Sequence, residues 1–341
     1  MNAAGRAADA SPGVPSIAAG RLGSLREPAV RDLAWLLFSP DLPDAREPSW
    51  PLAKPLDTDA AVVAATDWLI DLDRDAGALR EALALAHQTR LGRYAECLLG
   101  WFLRHGPGAR LVAANVALRR AGRTLGECDF LVTTPEGRRL HWELAVKCYL
   151  HAAPGEAESG TLSDFVGPNL QDRFDLKLAH LLDHQLPLSA REAFATLGYD
   201  GPWEAQMIVK GWLFYRAGAN GAVAGEAGKV GETEPSTPVP GLSPRHLRGW
   251  WVTHADWPRF ASHRAEAWRV LPRLEWLAPR RMAGEGASMS DGAALFAGLA
   301  HPRSPVMVAG FVAQDGEWRE CSRGFIVPDD WPARAQAFAR H

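Results

Sequence analysis

The spacing of apolar residues changes several times along the chain, and each change marks an element. From Glu27 to Phe38 (EPAVRDLAWLLF) the apolar positions recur at helical spacing and stop at Ser39-Pro40, which predicts a short amphipathic helix. Helical spacing resumes near Thr58 and is strongest from Ala76 to Arg104. There Leu91, Ala95, Leu98, Leu99 and Phe102 form one stripe, with Glu96 at its flank. His105-Gly106-Pro107-Gly108 closes that segment. The period then falls to two. Leu111 to Leu118 reads as a compact apolar strand, and Gly126 to Leu150 as two strands joined by a turn at Pro135-Glu136-Gly137. Asn169 to Gln185 returns to helical spacing on Leu170, Phe174, Leu178, Leu181 and Leu182. Gln206 to Tyr215 is a strand by its β-branched and aromatic content. The order helix, three strands, helix, strand predicts an α/β fold with a mixed central sheet flanked by helices.

Composition sets the outer limits. The chain has 341 residues, 47% of them hydrophobic, with 14 Trp, enough for one large domain or two modest ones. Residues 1–26 are rich in Ala, Gly, Ser and Pro and read as a disordered tail, and 27–75 as an N-terminal helical segment. The α/β core is expected over 76–216. A Gly/Ala/Glu/Pro-rich insertion at 217–241 is expected to be flexible, and a Trp-rich region at 242–341 to pack on the core. A further low-complexity loop is expected at 283–292. A net charge of −3 excludes a global basic field, so a DNA or RNA partner would need a local patch. The four cysteines form no CxxC pair, which argues against a structural zinc site and for a reducing cytoplasm. No apolar h-region and no run of about 18 apolar residues occurs, so a soluble cytoplasmic protein is expected, with no membrane partner. Oligomeric state has no signature in the chain.

Charge changes the picture at one place. Strict alternation over the 126–150 strand pair puts Glu127, Asp129 and Leu131 on one face, with Cys128, Phe130 and Val132 opposite. In the second strand His141, Glu143, Ala145 and Lys147 share a face. Ionised groups on strands that look buried need partners or a metal. Two carboxylates on adjacent strands, Asp129 and Glu143, suit Mg²⁺ (or Mn²⁺), and a nearby amine, Lys147, suits the activation of water in phosphodiester hydrolysis. The same residues equally suit ion pairs with Lys147, Arg138 or Arg139. Glu96 is by default a solvated helix flank, and Glu127 an arginine partner. Arg173, Lys177, His180 and His184 line another face of the 169–185 helix, either as a solvated face or as a phosphate-contacting patch. Trp250, Trp251, Trp268 and Trp276 read as core rather than as base-stacking platforms. No GxSxG, no GxGxxG after a strand, no Walker loop and no HExxH occurs.

The order Tyr94-Ala95-Glu96, Gly126-Glu127-x-Asp129 and Val146-Lys147, followed by helix and strand, resembles the PD-(D/E)XK nuclease superfamily, the restriction-endonuclease-like fold. More closely, RDLAWLLFSP (31–40), LGRYAECLLGWFL (91–103), GRTLGECDFLV (122–132), HWELAVKCYL (141–150), GPNLQDRFDLKLAHLLDHQLPLS (167–189) and VPDDWP (327–332) resemble a bacterial family catalogued as domain of unknown function 1853. The resemblance implies a restriction-endonuclease-like core with N-terminal helical and C-terminal Trp-rich additions. It implies a Mg²⁺ site with Asp129 as the strand acid, Lys147 as the triplet lysine, Glu96 as the helix acid and Glu127 as the acid that often precedes Asp129. The triplet acid two before Lys147 is replaced by Ala145, and the nearest acid on that face is Glu143, two residues earlier. The implied function is a Mg²⁺-dependent nuclease with a migrated acid. The alternative is a catalytically inactive nuclease-fold module that binds nucleic acid or protein.

Overall fold

The structure is a computed structural model and describes residues 16–47, 49–120, 122–153, 160–199, 201–217, 239–262, 264–284, 289–299 and 302–340. In chain order the N-terminal helices are α1 (Ser16–Leu22), α2 (Pro28–Phe38), α3 (Asp59–Arg74), α4 (Gly77–Ala86) and α5 (Leu91–His105). Strands β1 (Arg110–Arg120), β2 (Arg123–Thr133), β3 (Arg139–His151) and β4 (Phe165–Val166) follow. Next come α6 (Phe174–His180), α7 (Glu192–Ala195), β5 (Glu204–Arg216), β6 (Leu247–Thr253), α8 (Trp257–Ala261), β7 (Ala267–Val270), β8 (Arg281–Ala283) and α9 (Gly292–Gly298). The last are β9 (Val306–Gln314), β10 (Glu317–Val327) and α10 (Trp331–Ala339). The strands make one ten-stranded mixed sheet in the order β1-β2-β3-β5-β6-β10-β9-β7, with β4 beside β3 and β8 beside β10. The α/β expectation therefore holds. Among the described residues no helix is long and apolar enough to cross a membrane.

The chain divides into two compact units, one running to Val146 with Lys177–Lys210, the other comprising Lys147–Leu176 and the chain from Gly211 onward. Strands β3 and β5 pass from one unit to the other. In the first unit, α5 buries the expected stripe of Leu91, Ala95, Leu98, Leu99 and Phe102. The Tyr94 hydroxyl donates to Asp32 Oδ2 on α2 at 2.9 Å, and Phe102 meets Trp68 of α3 edge-on. The helical stretch expected over 76–104 is broken at His87, whose left-handed φ of 44° caps α4. Residues 1–15 of the expected tail lie outside the described residues. The rest of it is ordered: α1 is helical, and Ala18, Leu22 and Leu25 are buried, so apolar burial overrides a composition that reads as loose. Of the expected insertion, 218–238 lies outside the described residues, as does 285–288 of the expected 283–292 loop.

In the second unit Trp250, Trp257, Trp268, Phe260, Val308 and Ile326 form one core. Trp251 is also buried, while Trp276 is half-buried and donates to the Leu271 carbonyl. Parallel β6 and β10 put Gly324 opposite Trp250, and a Cβ at 324 would lie 2.2 Å from the Trp250 carbonyl oxygen, so glycine is required there by space.

The helix expected over 169–185 is shorter and less regular. It starts at Phe174, widens into a π turn over Leu181–Gln185 and tightens into a 3₁₀ turn over Leu186–Ala190. Pro187 is the cause. It has no N–H, and its ring would collide with the carbonyl four residues back in a continuing α-helix.

Candidate functional site

Antiparallel β2 and β3 are paired from Thr133↔Arg139 to Phe130↔Trp142, and the regular ladder stops there. One step further the side chains of Asp129 and Glu143 take over the backbone bonds. The Leu144 N–H donates to Asp129 Oδ2 at 2.9 Å, and the Asp129 N–H donates to Glu143 Oε1 at 3.3 Å. The two acids singled out in the sequence therefore meet where the strand pair opens. Glu143 is 0% exposed. Its Oε1 lies 2.7 Å from His141 Nε2, and its Oε2 accepts from Gln185 Nε2 at 2.6 Å. Gln185 Oε1 in turn accepts from Lys177 Nζ at 2.8 Å, and His141 Nδ1 lies 3.0 Å from Ser189 Oγ. A chain of polar contacts thus runs Lys177, Gln185, Glu143, His141, Ser189.

Burial dominates the electrostatics. It pushes the Glu143 carboxyl up to about 7, opposed by the bond from the Asp129 amide and by the Lys177 charge. Asp129 is raised well above the ordinary carboxylate range by burial and by the Glu143 charge beside it. Burial moves the His141 imidazole the other way, down to about 4, so the ring is neutral near pH 7. Paired carboxyls of this kind hold a proton or a cation between them.

Glu96 and Glu127 are together in a different arrangement. Arg93 Nη1 donates to Glu96 Oε2 at 2.6 Å and to Asn115 Oδ1 at 2.6 Å, and Arg93 Nη2 reaches Glu127 Oε1 at 3.1 Å. One guanidinium on α5 therefore ties the helix acid to both β1 and β2. Burial raises the Glu96 carboxyl, against the Arg93 bond, which lowers it. Lys147 lies in the second unit, where its Nζ donates to Asp172 Oδ2; the Tyr149 hydroxyl reaches the same oxygen at 3.2 Å. Arg173 precedes α6 and forks onto Asp175, with a further bond to the Ala339 carbonyl. His180 and His184 are exposed and lie ring against ring at 5.2 Å. The four residues expected to share a face are thus divided: Arg173 in the second unit, Lys177, His180 and His184 in the first.

The expected alternation in β2 needs correction. Cys128 and Leu131 belong to one apolar cluster with Leu188 and Phe194. Glu127 and Phe130 both turn to α5, Glu127 to Arg93 and Phe130 to Gly100. The faces therefore slip by one at Asp129. The ladder partners on either side, Ala114↔Phe130 and Val116↔Cys128, flank Asn115, which has a left-handed φ of 53°. Asparagine tolerates that conformation better than most residues, and the irregularity beside Asp129 resets the pleat. As a result the Cys128 thiol shares the side of His141 and Glu143, not the opposite one.

Sequence reasoning missed Gln185, Ser189, Arg93 and Asp172. Arg93 stands three residues before Glu96, a spacing that signals a helical ion pair. Pro187 signalled the irregular turn that carries Gln185.

No curated protein and no solved structure matches the chain. The family model described as Domain of unknown function (DUF1853) matches residues 31–327. That span takes in the strand pair, its acids and the 174–190 helical segment, and the chain belongs to this family.

Proposed function

We propose that the chain is a divalent-metal-dependent phosphodiesterase acting on DNA or RNA, with Asp129 and Glu143 as the acids that hold Mg²⁺ or Mn²⁺. The observation that carries this reading is the meeting of those two carboxyls where the β2–β3 ladder opens, both with raised proton affinity. The donor set fits, because hard carboxylate oxygens suit Mg²⁺. A bound cation would supply charge stabilisation and an acidic water. Gln185 and His141 hold the Glu143 carboxylate in one orientation, the role played by outer residues around many metal ligands. Lys147, anchored on Asp172, is the amine the superfamily resemblance assigns to water activation. Arg173, Lys177, His180 and His184 are the candidate phosphate contacts, and a net charge of −3 confines any such contact to a patch.

The test is cleavage of mixed DNA and RNA by purified protein with Mg²⁺ or Mn²⁺, beside Asp129→Asn and Lys147→Ala. The reading expects metal-dependent cleavage, with Asp129→Asn losing more than the roughly 10–100-fold that removal of a supporting hydrogen bond costs. Equal cleavage by all three proteins would identify a contaminant. One observation favours a second reading, a nuclease-fold module that binds nucleic acid or protein without cutting: the Glu143 side chain is fully buried, with both oxygens bonded. Nucleic-acid binding without cleavage on any substrate would select it.

A further inference from the structure

We propose that Cys128, His141 and Glu143 form a buried sulfur–nitrogen–oxygen site for a borderline divalent cation of the zinc type. Their ligating atoms all lie within 4.8 Å of one another, and all three residues are buried. Ligands of a tetrahedral zinc ion, at roughly 2.0–2.3 Å from the metal, are roughly 3.3–3.8 Å apart, so small side-chain movements close the set. The proposal goes beyond the phosphodiesterase reading and does not depend on it, although both use Glu143.

The donor chemistry selects the ion. Thiolate and imidazole are poor ligands for Mg²⁺ and good ones for zinc, cobalt or ferrous iron. The charge also balances: one thiolate, one carboxylate and one neutral imidazole cancel a divalent cation, which a buried site demands. Three protein ligands are the set that leaves one coordination position open. The supporting contacts are in place. Ser189 Oγ beside His141 Nδ1 fixes the ring so that Nε2 faces the Glu143 carboxylate, and Gln185 holds the far oxygen of that carboxylate. The thiol belongs to an apolar cluster with Val116, Leu118, Leu131, Leu188 and Phe194. The neutral imidazole needs no deprotonation to ligate, whereas the Cys128 thiol, pushed up to about 12 by burial, releases its proton to solvent as the cation binds.

The experiment uses the full chain, stripped by chelator and titrated with Co²⁺ as a spectroscopic probe. The expected result is one Co²⁺ per chain with tetrahedral visible bands and a thiolate-to-cobalt charge-transfer band, both displaced by Zn²⁺. Cys128→Ser, which keeps Cys97, Cys148 and Cys321, should lose the charge-transfer band and at least tenfold in affinity, while Cys321→Ser, a thiol of the second unit, keeps both. Absence of the band in the wild type, or its persistence in Cys128→Ser, overturns the proposal. If Cys128→Ser does not fold, X-ray absorption at the zinc edge of the wild type decides. Mixed sulfur and nitrogen/oxygen scattering supports the site, and nitrogen/oxygen alone overturns it. None of these readouts requires cleavage, so a thiolate–cobalt centre in a protein that cuts nothing would sink the phosphodiesterase reading alone. Metal-dependent cleavage without that centre would do the reverse.

Discussion

Replacing Glu143 by Gln turns the buried carboxyl into a neutral group of the same shape, and the structure fixes how the stability difference must vary with pH. The folded protein binds the Glu143 proton more tightly than the unfolded chain, because burial raises the carboxyl from its ordinary 4.5 to about 7. The folded state therefore holds more protons across that interval, and stability falls as pH rises. The contribution is fully present below about pH 4.5 and is lost as pH climbs through 7. A displacement of about 2.5 pH units at about 1.4 kcal/mol each gives about 3 kcal/mol. The substituted glutamine does not titrate, so the stability of wild type minus variant should fall by about 3 kcal/mol between pH 4.5 and 8. The last ~1 kcal/mol of that fall comes above pH 6.5. His141, pushed down to about 4, contributes with the opposite sign, gaining stability as pH rises from 4 to its ordinary 6.5. His141 is present in both proteins and is neutral in both states by about pH 7.5, so the upper part of the difference profile belongs to the carboxyls. Urea unfolding of both proteins at half-unit steps of pH measures the difference. Saturating Mn²⁺ at pH 8 should restore the wild type by about 2.7 kcal/mol at a hundredfold excess over Kd and leave the variant unchanged. A difference that stays flat from pH 4.5 to 8 would refute the reasoning, because it would mean that Glu143 ionises as freely in the folded protein as in the unfolded chain.

Two further substitutions test other parts of the structure. Arg93→Met removes the guanidinium shared by Glu96, Asn115 and Glu127 and should destabilise by about 1–2 kcal/mol in chemical denaturation; an unchanged midpoint would show that the cluster is solvated rather than bonded. Gly324→Ala puts a Cβ 2.2 Å from the Trp250 carbonyl and 2.2 Å from its ring, so stability should drop by several kcal/mol or expression should fail, whereas Gly298→Ala, which meets nothing within 4 Å, serves as the neutral control.

What could be read from the sequence was what local periodicity encodes. Helix α5 was legible because it buries one stripe, and strands β1, β3 and β5 because they carry runs of β-forming residues; α2 was legible as a helix but not as an amphipathic one, since it is buried on nearly every side from Ala29 to Phe38. Asp129 and Glu143 were legible because charges on a strand of buried neighbours stand out. Gln185 was not: a π turn forced by Pro187 aims it at Glu143, and α-helical spacing cannot anticipate that turn. Asp172, which holds Lys147, lies just before α6, where no period exists to place it. Cys128 was assigned to the wrong side because alternation counts residues and cannot register a slip at Asp129 opposite the left-handed Asn115.

That slip also explains why the two acids cannot be regarded as function alone. Where β2 and β3 part, the amides of Asp129 and Leu144 lose the partners that a regular ladder would have given them, and the carboxylates replace those partners. A buried amide left without an acceptor costs about 1–3 kcal/mol. Alanine at either position would therefore remove an acceptor along with a charge, and lost activity would be inseparable from lost structure. Asparagine at position 129 keeps an oxygen for the Leu144 amide and removes only the charge. The acids sit at the opening because they make the opening possible, and that holds whether the charge they carry is balanced by a proton, by Mg²⁺ or by a softer ion beside Cys128.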